Sequence, residues 1–514
     1  MERFAVLASL CLLSLAACAV GPDFKRPDIA AAPNWNATDP RLAAQTAADA
    51  SWWKTFNDPT LDRLVELGYR QNLSLQIAGL RIVEARAQYG VATGRLFPQT
   101  QALNANVTAI GLPASIADAV GFSRHLLSYQ AGFDAAWELD FWGKYRRGVE
   151  SEAAVLLSSM ADYQSALVAL TAEVARTYVA IRTSEVLIRQ AEENAKIQEQ
   201  GFDIAQSRFK NGATSELDPS QATTLLESTR ATIPQLRATL QQQRNALATL
   251  LGQPAGSVET SLAGAQEIPK PPARVAVGVP AEMLRRRPDI RGAEMAAAAQ
   301  CARIGVAKSE LYPSFSLFGS IGLRAFNKGP ATHNLFSTSS IFYSAGPSIN
   351  FPFLNYGRLT NAVRVEDARF QQLLVAYRDT VLRAAQEVED ALAGFVNAQQ
   401  AAVFSQNAVT SAKRSVELSM VQYREGASDY QRVLDAQRSL LVQENNLAQQ
   451  SSSVATSLVA MYKALGGGWE LREGQPVVRE QARDEMKQRT YWGDVLTQPR
   501  PPETSPQQPP SGKP

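Results

Sequence analysis

Between Ser128 and Trp142 apolar and polar side chains alternate. Tyr129, Ala131, Phe133, Ala135, Trp137, Leu139 and Phe141 fall on one side, and Gln130, Gly132, Asp134, Glu138 and Asp140 on the other. A period of two marks a strand with one oily and one polar face. A strand-like stretch after Pro98 precedes it, separated by a loop that holds Gly111 and Pro113. The same pattern returns later. Phe315, Leu317, Ile321 and Leu323, then Tyr343, Ala345, Ile349, Phe351 and Phe353, oppose Ser314, Ser316, Ser344, Ser348 and Asn350.

After each predicted hairpin the period changes to threes and fours. Leu156, Met160, Tyr163, Leu167, Leu170, Val174, Tyr178 and Ile181 line one helical face, and Phe370, Leu374, Tyr377, Val381, Ala384, Val388, Leu392 and Phe395 repeat that spacing. No proline interrupts the chain from Gly143 to Arg208. At the α-helical rise such a helix reaches on the order of 100 Å. A return helix follows each, with Leu226, Ile233, Leu240 and Leu247 in the first and Leu440, Leu447, Val454 and Met461 in the second. Those strict sevens are coiled-coil packing. Pro234 should bend the first return helix or loosen its hydrogen bonding.

The chain is therefore written twice. Residues 89–98 recur near 304–313, Pro98 as Pro313, Gly143 as Gly357 and Gly212 as Gly426. The expected organisation is a leader over 1–17, an N-terminal segment over 18–57, a first repeat over 58–267, a second over 268–470 and a polar, Pro-rich tail over 471–514. A half-buried sheet in a soluble protein alternates in the same way. Here strand lengths near the ~10 residues that cross a bilayer, and aromatic residues at the strand ends (Phe97, Phe141, Trp142, Tyr312, Phe353), point to barrel strands instead. Four strands cannot close a barrel, and an open edge cannot face lipid. Several chains must pool their strands, and three copies give about twelve.

Composition narrows the function. Fifty-one basic against 49 acidic side chains leave a net charge of +2, which gives no electrostatic case for nucleic acid. The start of the chain, Met1-Glu2-Arg3 and an apolar run from Phe4 to Leu15, ends in Leu15-Ala16-Ala17-Cys18. So short a run ending in small residues fits an export signal, and Leu-Ala-Ala-Cys matches the bacterial lipobox, with Cys18 as the lipidated residue. Ala19 behind it, by analogy with bacterial lipoproteins, favours sorting to the outer membrane. Cys11 leaves with the leader, so Cys301 has no disulfide partner. No apolar run of spanning-helix length is evident after Cys18.

These features resemble the outer membrane efflux proteins, in particular the lipoprotein, NodT-like branch that serves resistance-nodulation-division pumps. The resemblance rests on Val20-Gly21-Pro22-Asp23-Phe24, Trp52-Trp53-Lys54-Thr55-Phe56-Asn57-Asp58-Pro59 and Trp137-Glu138-Leu139-Asp140-Phe141-Trp142-Gly143-Lys144. Arg285-Arg286-Arg287-Pro288-Asp289-Ile290-Arg291 and Leu434-Asp435-Ala436-Gln437-Arg438 complete it, and it runs to about Gly468. It implies a mostly α chain with four transmembrane strands, a homotrimer with a twelve-stranded barrel, and a periplasmic tunnel of long helices. It also implies docking to a periplasmic adaptor and an inner-membrane pump. A type I protein-secretion exit is an alternative within the class. A trimeric autotransporter adhesin fits less well, since its barrel is C-terminal.

The helix turns carry Gly212 and Gly426, residues suited to a left-handed turn. In the family this far end is pinched shut, and the matching residues here are Tyr423, Arg424, Asp429, Tyr430 and Asp435. Asp429 stands under two readings: a ring of carboxylates around the pore, or the N-cap of the return helix. Asp435 has a possible counterpart in Asp218. Catalysis finds no foothold. The two histidines, His125 and His333, lie in hairpin loops without ligand spacing, and neither a phosphate loop nor a nucleophile elbow is present. No cofactor, metal or nucleic acid is expected, and scarce methionine gives no support to a dedicated copper route. The stretch from Pro499 to Pro514 reads as disordered.

Overall fold

The structure is a computed structural model and describes residues 19–28, 34–36, 39–43, 50–121, 123–264, 266–278, 280–328 and 334–496. Cys18 and the leader before it, His333, and the stretch from Pro499 onward lie outside the described residues. Strand β1 (Leu42–Ala43) leads to helices α1 (Pro59–Gln71) and α2 (Leu73–Gly94). Strand β2 (Thr100–Gly111), helix α3 (Ala114–Val120) and strand β3 (His125–Leu139) follow, then helices α4 (Lys144–Lys210) and α5 (Leu217–Leu250). The second half holds β4 (Val275–Ala276), α6 (Pro280–Arg286), α7 (Pro288–Ser309), β5 (Ser314–Phe326), β6 (Ile341–Asn350), α8 (Arg358–Arg424) and α9 (Tyr430–Ala464). Helix α10 (Glu480–Arg489) comes last. Helices α4 and α8 are each 67 residues long.

Strands β2, β3, β5 and β6 form one antiparallel sheet in that order. Its register places Leu103, Phe133, Ile321 and Tyr343 in a single row across all four strands. Leu103 is 84% and Tyr343 81% exposed, so the oily face looks outward from the chain. The other face is tied by polar contacts: Asn104 donates to Asp134 at 2.6 Å, and Arg324 to Gln130 at 2.8 Å. Strand β3 stops at Leu139, short of the expected Trp142. The Asp140 carboxylate accepts the amides of Tyr145 at 3.0 Å and Arg146 at 2.9 Å, and Gly143 turns the chain into α4 at φ +77. The hairpin loop at Pro113 also contains α3, where only a loop was expected.

Next to the sheet, α2, α4, α7 and α8 pack side by side in that order; beyond the waist, α5, α4, α9 and α8 do so. One stretch of α4 is apolar enough, by length and composition, to cross a membrane, contrary to the expectation that none followed Cys18. Of that stretch 44% is buried within the chain. Leu167, Val174, Tyr178 and Ile181 are fully buried in the helical core. Of the predicted heptad positions, Leu240, Leu247, Leu440, Val454 and Met461 are buried, while Ile233 and Leu447 are half-buried. Helix α5 continues through Pro234 without a break.

The waist explains the motifs that carry the resemblance. Trp52 stacks on Tyr462 at 5.3 Å, and Asp58 caps α1 while accepting the Tyr178 hydroxyl at 2.6 Å. Arg182, buried, donates to the Leu262 carbonyl at 2.7 Å and pairs with Glu185. Arg287 donates to the Ala464 carbonyl at 2.7 Å and pairs with Asp289 and Glu387. Each buried charge has a partner, as burial requires. Asp58, Tyr178 and Arg182 tie the first repeat together and Arg287 the second, while Trp52 joins the N-terminal segment to the second repeat.

From Ala19 the chain straps these helices together. The Val20 amide donates to the Trp142 carbonyl at 3.0 Å, Asp23 pairs with Arg147, and Arg26 with Glu294. The Cys301 thiol, pushed up to about 11 by burial, lies 3.6 Å from the Pro22 carbonyl. Lower down, β1 pairs in parallel with β4. The segment after Arg472 is polar in sequence yet folds as far as Leu496: Val478 and Leu496 pack with Val83 of α2.

Candidate functional site

Both long helices end on the same turn. At Gly212 (φ +71) the Ala213 amide returns to the Arg208 carbonyl at 2.8 Å; at Gly426 (φ +77) the Ala427 amide returns to that of Gln422, also at 2.8 Å. Such a closure needs a left-handed residue just past the helix, which glycine adopts without a steric penalty.

The two tips then meet around one aromatic side chain. Tyr423 is buried, and its hydroxyl donates to Asp218 of α5 at 2.9 Å. The Arg208 guanidinium of α4 lies 4.8 Å from its ring centre and donates to the carbonyls of Tyr423 and, at 3.3 Å, Arg424. Those carbonyls belong to the last turn of α8, where a cation is favoured. The buried Tyr430 ring stands edge-on to Tyr423 at 5.0 Å. Burial, reinforced by the bond to Asp218, pushes Tyr423 up to about 12, and burial also raises Tyr430; both phenols stay neutral in physiological conditions.

Tyr423 and Tyr430 are thus brought together, whereas Arg424, Asp429 and Asp435 lie exposed on the outside of this cluster. Asp429 is the N-cap of α9, accepting the Arg432 amide at 3.4 Å. Asp435 accepts from the Gln431 amide side chain at 2.9 Å. Sequence reasoning passed over Arg208 and gave Asp218 only as a counterpart of Asp435. A usable signal was present: in the register that pairs Gly212 with Gly426, Arg208 falls opposite Gln422 and Asp218 opposite Arg432, so both positions changed chemistry between repeats. Among the described residues no group of three or more His, Cys, Asp or Glu is placed to hold a metal ion.

Comparison with known proteins agrees with this architecture. The outer membrane efflux protein family matches residues 65–253 and again 279–467. A pyoverdine export outer membrane protein of Pseudomonas putida is 32% identical over 468 residues, covering 90% of this chain and 97% of that protein. Nodulation protein T of Rhizobium leguminosarum bv. viciae is 31% identical, over 91% of this chain and 94% of its own length. Among solved structures, the outer-membrane channel OprN superposes with a TM-score of 0.82 at 32% identity, over 88% of this chain and all of that one. With the family matched twice along the chain and the fold shared over 88% of it, this protein is a member of the outer membrane efflux protein family.

Proposed function

We propose that three copies of this chain close into one duct, an outer-membrane barrel continued by a helical tunnel, through which solutes expelled by an inner-membrane pump leave the cell. One observation carries this reading: the chain is open along the same two edges at every level. The sheet ends on β2 and β6, the upper helical layer on α2 and α8, and the lower on α5 and α8. One edge comes always from the first repeat, the other always from the second. Unlike edges join head to tail, and a rotation that closes gives a ring. Four strands from each of three chains give about twelve, within the range of barrel sizes.

The helical edges support the same closure. Leu73, Ile77, Leu80 and Val91 stand exposed along α2 at spacings a helix partner would cover, and Val365, Val375 and Leu382 do so along α8. Periplasmic adaptor and resistance-nodulation-division pump partners follow from the lipoprotein branch that the motifs resemble. We assign lipidation to Cys18: Ala19, next in the chain, sits against Gly143, beside the stacked Trp142 and Tyr312 at the foot of the sheet. The gate is assigned to the tip, to Tyr423, Arg424, Asp429, Tyr430 and Asp435, with Asp218 and Arg208 added by their contacts. Detergent-extracted protein should weigh as three chains and form pores in planar bilayers. A compact monomer without pores refutes the reading.

A further inference from the structure

We infer that Arg324 of β5, repeated in three copies, forms a fixed cationic ring in the outer half of the barrel lumen and makes the exit favour anionic solutes over cationic ones. The inference rests on the reading of three chains as one barrel.

Arg324 stands on the polar face of the sheet. Its register partner is Gln130 of β3, which in turn faces Asn106 of β2. The three form one row on the face opposite Leu103, Phe133, Ile321 and Tyr343. That row lies toward the hairpin loops, at the end of the sheet remote from α4 and α8.

The guanidinium is held in place without being neutralised. Its Nε at 3.2 Å and Nη2 at 2.8 Å both donate to Gln130 Oε1, and the Phe342 ring centre lies 5.0 Å away. Both partners are uncharged, and among the described residues no carboxylate pairs with Arg324. An arginine stacked on an aromatic ring keeps its full charge. Phe342 has room for this because its register partner is Gly322: a Cβ there would stand 2.9 Å from the ring. The ring fills the space that the glycine leaves, as aromatic residues do beside a strand glycine.

Charge is sorted along the strands around this row. Across the two hairpins, 100–139 and 314–350, the basic side chains are Arg124, Arg324 and Lys328, all toward the loops. The acidic ones are Asp118 in the first loop, and Asp134 and Glu138 toward the helices. Asp134 is bonded to the neutral Asn104 at 2.6 Å, and Glu138 pairs with Lys144. The outer end therefore keeps an excess of positive charge. A ring of like charges on a water-filled lumen concentrates counter-ions and repels co-ions. Drawn along the row toward Gln130, each guanidinium does this from the wall.

The test places a thiol in the same row. Asn106 is exposed, two strands and about 10 Å from Arg324, and the chain's own Cys301 is buried. Asn106→Cys in the full-length trimer, reconstituted in liposomes, reacts with a sulfonate-bearing and a trimethylammonium-bearing methanethiosulfonate at rates that read the local potential. Adding Arg324→Gln should lower the sulfonate-to-ammonium rate ratio about fourfold at low salt, and the difference should vanish in molar salt. Arg324→Lys, which keeps the charge, should hold the parent ratio. Arg324→Gln alone should move the reversal potential in a potassium chloride gradient toward cation selectivity. An unchanged ratio, or a lowered ratio with an unchanged reversal potential, overturns the ring as a selector and leaves the barrel standing. A thiol that neither reagent reaches overturns the barrel reading, and the ring with it.

Discussion

Two residues show how much a single atom decides here. Gly305 lies where the N-terminal strap crosses α7: a Cβ there would come within 2.8 Å of the Val20 carbonyl and 2.9 Å of the Arg147 side chain. The backbone must shift to admit a methyl group, and overpacking of this kind typically costs about 1–3 kcal/mol. Gly305→Ala should therefore lower the melting temperature and expose residues 19–28 to protease, which limited proteolysis reads directly. Asp429 presents a cleaner choice. Asparagine caps a helix about as well as aspartate, so Asp429→Asn preserves α9 while removing the charge. If the carboxylates of three copies ring the pore, the variant conducts more and selects less for cations. Conductance and selectivity equal to the parent would leave Asp429 as a cap alone.

At the scale of elements, hydrophobic period was enough to read the strands and the long helices, because each buries a regular face over many turns. The duplication read each of them a second time. What period could not reach was anything decided by a neighbour distant in sequence. The arginines of Arg285–Arg291 look like a solvated or docking cluster, yet Arg287 serves the end of α9. The pairing of Tyr423 with Asp218 spans the two repeats, and its trace is the change from Asp218 to Arg432 between them, not any local period. The segment before Leu496 is polar because only Val478, Leu496 and a few others touch α2. Pro234 lies within this scale too. It is exposed inside α5 and denies the Arg230 carbonyl its helical donor. A proline in a helix interior costs about 3 kcal/mol relative to alanine, so Pro234→Ala should slow hydrogen exchange across the flanking turns and stiffen the first tip. Faster exchange there would mean that the packing around α5 requires the proline.

For the whole molecule, what matters is which surfaces remain uncovered in one chain. Leu382 is 65% exposed on α8, on the edge that faces the next subunit in the proposed trimer. A carboxylate there would be buried without a partner on assembly, so Leu382→Asp should leave a folded, helical monomer and abolish the trimer in sedimentation. A trimer of parental stability would move the seam elsewhere on α8. The unlike edges also have a genetic consequence. A subunit spoiled on one side still offers a sound opposite side to its neighbours, so it enters the assembly and leaves it unclosed. In a cell making sound and spoiled chains in equal number, only roughly an eighth of three-membered assemblies would be wholly sound. A lesion confined to one seam should thus behave as a dominant poison, whereas a lesion that prevents folding should be silent beside a working allele.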